Sequence, residues 1–170
     1  MLIDDALQLY RPNVGVVLFD RRGRVFFGRR TGDFEIAGEA PGLFRWQFPQ
    51  GGVDAREDFS AAAFRELKEE TGVVSARLIA LTPGWLAYDF PPEYAKRGRW
   101  RGQRQKWAAM VFEGEDDEID LEADDHQEFD AWRWGELEEA PALIVSFKRA
   151  VYAEIVSAFS PLRDYIRSKS

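Results

Sequence analysis

The chain contains no cysteine, so neither disulfides nor thiolate metal sites are available to it, and a reducing compartment suits it. It holds one histidine, His126, which stands in no partner motif and is assigned no role. No apolar run approaches the length that spans a bilayer. The opening MLIDDALQLYRP places Asp4 and Asp5 where a signal peptide carries positive charge, and a cytoplasmic location is expected. Positive charge is in deficit, with 23 Lys and Arg against 30 Asp and Glu and a net charge of −7. That balance argues against non-specific binding to duplex DNA through a general positive field.

What remains is an ordinary globular composition, 45% hydrophobic and 31% charged, and 13 Phe with 6 Trp promise a well-filled interior. A length of 170 residues fits one domain, with its core over about 10–159 and a short C-terminal tail. Charge is unevenly spread. KRGRWRGQRQK (96–106) packs six cations and one tryptophan into eleven residues, whereas 113–125 is an acidic run read as exposed. One basic stretch on an acidic chain suggests a local anion site.

NVGVVLFD (13–20) and RVFFGRR (24–30) are β-branched and aromatic runs around a glycine turn and read as a hairpin. TGDFEIAGEAPG (31–42) reads as an exposed loop, followed by a short strand FRWQFP. Asp58 or Ser60 caps a helix that ends at Gly72, with Ala63, Leu67 and Phe64 facing inward. ARLIALT, WLAYDF, QKWAAMVFE and EFDAWRW supply further strands. A last helix spans 146–159, capped by Ser146 and closed by Pro161. Strands and helices are mixed without a regular βαβ repeat, so the expected fold is α/β, a mixed sheet with helices packed on it. Trp46, Trp107, Trp132 and Trp134 read as core packing.

The helix carries RELKEETG, in which Glu66, Glu69 and Glu70 share one face at helical spacing. Like charges so placed repel, so the face is either solvated or holds a cation. Mg²⁺ prefers carboxylate oxygens and bridges protein to phosphate, and glycines before the helix let backbone approach a phosphate. The wider string GGVDAREDFSAAAFRELKEETGV spaces glycine, glutamate and Arg-Glu-apolar-any-Glu-Glu-any-Gly-apolar as the Nudix box does. The chain thus resembles the Nudix hydrolases, which implies a mixed sheet sandwiched between helices. It also implies a cluster of two or more Mg²⁺ or Mn²⁺ ions on Glu66, Glu69 and Glu70. In that family the glutamate at Glu57 is structural, pairing with Arg65, and Gly72 closes the box.

YRPNVGVVLF, WQFPQGG, GQRQKW, EFDAWRW and VSFKRAVY, in that order, resemble the bacterial RNA pyrophosphohydrolases and dinucleoside polyphosphate hydrolases over about 10–159. The resemblance implies Glu128 as a further metal ligand, with Glu66, Glu70 or Glu128 as the base that activates water. Arg11 and Arg30 become contacts to phosphate and nucleotide, and Gln50, Gly51 and Gly52 border the cleft. Gln103 and Lys106 reach the polyphosphate, and Tyr88 and Phe147 sandwich a base beside Lys148. Phe147 at a helix start and Tyr88 in a strand also suit core positions. The implied substrates are RNA 5′ ends, dinucleoside polyphosphates such as diadenosine tetraphosphate, or both. A nucleotide-pool sanitising triphosphate pyrophosphohydrolase and a non-catalytic nucleotide or RNA-end binding module are the alternatives, and the intact box disfavours the second. Two departures flank the base pocket that the resemblance implies, a longer loop over 31–43 and Arg45 before the tryptophan.

Overall fold

The computed structural model describes residues 6–32 and 36–170 of the chain. Asp4, Asp5 and part of the loop read at 31–43 therefore lie outside the described residues. Strands β1 (Tyr10–Phe19), β2 (Val25–Arg30), β3 (Trp46–Gln47), β4 (Gln50–Gly52), β5 (Ala76–Leu81), β6 (Leu86–Asp89), β7 (Gly102–Phe112) and β8 (Phe129–Gly135) form one mixed sheet. Helix α1 (Phe59–Thr71) follows β4, the short α2 (Pro92–Ala95) follows β6, and α3 (Ala140–Leu143) precedes the long α4 (Arg149–Lys169).

The centre of the sheet is the parallel pair β1–β7, in register from Tyr10 opposite Gly102 to Phe19 opposite Val111. Their C-terminal halves, 14–19 and 107–112, read as continuous apolar runs because both faces are covered there. Val17 and Phe19, with Trp107, Ala109 and Val111, pack against Tyr152, Ile155 and Phe159 of α4. Val14, Val16 and Leu18, with Ala108 and Met110, pack against Ala62, Ala63 and Leu67 of α1. Each outer half of the pair has a different neighbour: β1 meets β4 at Asn13–Gly15 and β2 only at Phe19. The sheet thereby opens beside β4, where the glycines of the box lie.

Most elements fall where the sequence places them. Of the two candidate caps, Asp58 is used, its carboxylate accepting from the amides of Ser60 at 3.0 Å and Ala61 at 3.2 Å. Gly72 adopts the left-handed conformation (φ 75°) and donates to the Lys68 carbonyl. Trp107 is fully buried, and Trp46, Trp132 and Trp134 pack on the two cores.

Three expectations need correction. Phe64 faces out, 38% exposed, because the inward arc of α1 is taken by the alanines and Leu67. FRWQFP is a strand only at Trp46–Gln47 (β3), which pairs with β2, and after Phe48 and Pro49 the QGG that follows forms β4 against β1. Pro161 does not end the last helix. Ser146–Lys148 forms a separate 3₁₀ turn, and α4 runs from Arg149 to Lys169 through the proline. Proline inside a helix costs about 3 kcal/mol. Here burial of Arg163 and Ile166, and ion pairs from Arg163 to Glu138 and Arg167 to Glu136, offset that cost. Among the described residues no helix is long and apolar enough to cross a membrane.

Candidate active site

Arg65 organises the box. Its Nε and Nη2 donate to the two oxygens of Glu57 at 2.8 and 2.9 Å, and Nη2 also reaches the Gly52 carbonyl at 2.8 Å. A planar fork matched to a carboxylate in this way fixes direction as well as distance. Hydrogen bonding from Arg65, then from the Asp54 amide, pulls the Glu57 carboxyl down to about 2. The expected loop-to-helix clamp is present. The same guanidinium spreads Nη1 between Glu66 at 2.8 Å and Glu69 at 3.1 Å.

Glu66 and Glu70 are both largely buried. Glu66 lies against β4 so closely that a Cβ on Gly51 would come within 2.0 Å of its carboxylate. Glycine at 51 is therefore a steric requirement. Glu70 accepts from the Gln50 amide at 3.1 Å. Burial lifts its carboxyl well above the ordinary range, and the charges of Glu128 and Glu66 lift it further. Burial likewise raises Glu66, with Arg65 opposing. Among the described residues no three acids converge tightly enough, as placed, to enclose an ion. Arg65 meanwhile serves as counter-charge to Glu66 and Glu69. The donor set is nevertheless all carboxylate oxygen, and Glu70 feels the charges of both Glu128 and Glu66. That chemistry fits a hard divalent cation.

Beside this cluster lies a cavity of about 320 Å³. Arg11, Arg30, Gln50, Gly51 and Gly52 line it, as do Tyr88, Gln103, Phe147 and Lys148, and Glu128 forms part of its wall. These come from seven separate parts of the chain, so the fold collects what the sequence scatters. Arg11 approaches Gly52 closely enough that a Cβ there would meet its Nη2 at 2.7 Å. Arg30 stands 3.5 Å from Glu128, tying the cavity to the fourth glutamate. Burial, and then the charge of Arg30, pushes the Lys148 amine down to about 7.

Two placements differ from the sequence reading. Lys106 does not line the cavity: strand alternation turns it to the α1 face, its Nζ 5.1 Å from the Phe59 ring and 5.2 Å from Trp85. Tyr88 and Phe147 are in contact with each other, centroids 5.6 Å apart and planes at 45°, with Lys148 Nζ 5.6 Å from the Tyr88 ring. A base stacked between them requires the rings to part. Tyr88 is buried, and its hydroxyl donates to Gln103. Arg45 turns its guanidinium to the Arg30 carbonyl, 3.0 Å from Nε, and stands 3.6 Å from Asp130, so it braces the strand that carries Arg30.

Sequence reasoning missed Asn13, Gln47 and Phe90, which also line the cavity. Gln105 is the hidden support. Its buried amide donates to Asn13 at 2.8 Å and Gln50 at 3.2 Å, and its oxygen accepts from the Trp107 indole at 3.1 Å. Alternation along β7 carries the signal, since Gln103, Gln105 and Trp107 must share one face. Gln47 is buried, its Oε1 meeting no hydrogen-bond donor among the described residues.

The chain belongs to the NUDIX domain family, whose model matches residues 9–155. Within it, the chain is 59% identical over 154 residues to an RNA pyrophosphohydrolase of Caulobacter vibrioides (strain NA1000 / CB15N), covering 88% of this chain and 86% of that protein. It is 48% identical over 153 residues to an RNA pyrophosphohydrolase of Acidiphilium cryptum (strain JF-5), covering 89% and 90%. Among solved structures it is similar to an Ap4A hydrolase of C. elegans in a binary complex. That match has a TM-score of 0.56 and 18% identity, covering 88% of this chain and 98% of that one, a likeness of fold.

Proposed function

We propose that the chain hydrolyses phosphoanhydride bonds at the 5′-triphosphate end of RNA, releasing pyrophosphate and leaving a 5′-monophosphate, with dinucleoside polyphosphates as competing substrates. The observation that carries this reading is the junction at Gln50–Gly52. There a cavity lined by Arg11, Arg30 and Lys148 meets the carboxylates of Glu66, Glu70 and Glu128. The naming of the relatives at 59% and 48% identity supports the RNA substrate.

In this reading the arginines and Lys148 neutralise and orient the phosphate chain, arginine through paired donors. Gly51 and Gly52 admit it beside the backbone. Glu66, Glu69, Glu70 and Glu128 hold divalent cations, Mg²⁺ or Mn²⁺, which when bound lower the pKa of water and screen charge on the leaving phosphate. One of Glu66, Glu70 and Glu128 takes the proton of the attacking water as its oxygen joins phosphorus, and the phosphoanhydride oxygen leaves with pyrophosphate. Gln105, Asn13 and Gln50 keep the cavity floor rigid.

Purified protein in Mg²⁺ is offered 5′-triphosphate RNA and diadenosine tetraphosphate in parallel, and kcat/KM is compared. A higher value for RNA is expected. A higher value for the dinucleotide makes the protein a dinucleoside polyphosphate hydrolase, and turnover of neither removes the hydrolase reading.

A further inference from the structure

The basic run 96–106 is not used by the cavity except at Gln103. Carboxylates outnumber cations, 30 to 23, so an average cation has no shortage of partners. Most of the cations outside the run have one, as Arg24 does 2.7 Å from Asp20, Arg77 2.6 Å from Glu113 and Arg133 3.1 Å from Glu139. Among the described residues only Arg101 of the run does, at 3.0 Å from Asp89. Among the described residues Lys96, Arg97, Arg99, Arg104 and Lys106 have no carboxylate within 4.0 Å.

Aromatic rings stand beside them instead. The Arg99 guanidinium is 4.8 Å from the centre of Trp100 and that of Arg104 is 4.5 Å from Trp85. The buried Nε of Arg104 has no acceptor among the described residues. The run also starts at the cavity. Phe90, in the cavity wall, donates its amide to the Arg101 carbonyl at 2.9 Å, and Gln103 lies opposite Arg11 across β1 and β7. Unpaired cations alternating with aromatic faces match single-stranded nucleic acid, which offers phosphates to the one and bases to the other. Free polyphosphate has no use for the rings.

We propose that Lys96, Arg97, Arg99 and Trp100, with Arg104 on β7 and Trp85 just before β6, bind the RNA chain beyond the nucleotides that enter the cavity. This rests on the RNA 5′-end reading and deepens it: a dinucleoside polyphosphate ends before reaching the run, whereas an RNA continues along it. The net charge of −7 confines the attraction to this place.

The test is equilibrium binding of a fluorescent 5′-monophosphate RNA of about ten unpaired nucleotides in Mg²⁺, between 50 and 200 mM salt, to wild type and to Lys96→Gln/Arg97→Gln/Arg99→Gln. Each phosphate contact on a single strand contributes about −0.7 to the slope of log affinity on log salt. The triple variant is expected to lose about 2 from that slope and to bind roughly tenfold more weakly, since three contacts go. Trp100→Ala and Trp85→Ala are expected to weaken binding at every salt concentration without changing the slope. An unchanged slope and affinity in the triple variant overturns the proposal. Turnover of the matching triphosphate RNA is followed alongside. Its absence in wild type would tell against the hydrolase reading alone, because the binding result does not depend on it.

Discussion

Gly51 and Glu66 illustrate how single residues set this site. The carboxylate occupies the volume a Cβ on residue 51 would need, at 2.0 Å, so Gly51→Ala must push Glu66 aside. A displacement of about 1 Å at a reacting centre costs on the order of a hundredfold in rate. Gly51→Ala is accordingly expected to lower kcat/KM about a hundredfold while the thermal midpoint moves little; a variant of normal activity would show that Glu66 has no fixed place in the chemistry. Glu57 gives a pH signature. Its folded pKa is depressed to about 2 from an ordinary 4.5, so the stability it contributes is present above 4.5 and fades as pH falls from there towards 2. In denaturant titrations the stability gap between wild type and Glu57→Gln should stay constant from pH 5 to 7 and narrow below pH 4.5. A gap that widens on acidification contradicts the clamp. At this scale the sequence was most legible. The offsets within the box encode a helix face, the family resemblance implies the clamp, and both are present. Lys106 was misplaced, since spacing identifies a motif but not which way a strand turns it, and Gln47 and Gln105 were passed over because their roles depend on strands distant in sequence.

At the scale of elements, α4 shows tertiary burial overriding a local stop signal. Local chemistry ends a helix at Pro161, yet the helix continues because Ile166 and Arg163 have partners to reach. Ile166→Ala should therefore cost about 2 kcal/mol or more in urea unfolding, as for other buried aliphatic truncations. A helix ending at Pro161 would leave that substitution close to neutral. The parallel pair β1–β7 was legible only as two apolar runs. Which strands flank them, and that β4 rather than β2 borders the N-terminal half of β1, depends on pairings no local pattern encodes.

For the whole molecule, sheet and helices bring two chemistries to one junction: cations around a cavity and carboxylates beneath it. Burial raises the Glu70 carboxyl, and the charges of Glu128 and Glu66 raise it further, so the fold disfavours a negative charge at Glu70 that a divalent cation would offset. Removing one of these charges without changing shape separates fold from function. The most direct measurement is pyrophosphate release from 5′-triphosphate RNA in Mg²⁺ by wild type and by Glu70→Gln, with thermal midpoints taken without added metal. Wild type should turn the RNA over, and Glu70→Gln should lose on the order of a hundredfold or more in kcat, as when a group that stabilises transition-state charge is removed, with a thermal midpoint equal to or above that of wild type. A Glu70→Gln protein that is folded and fully active would contradict the account.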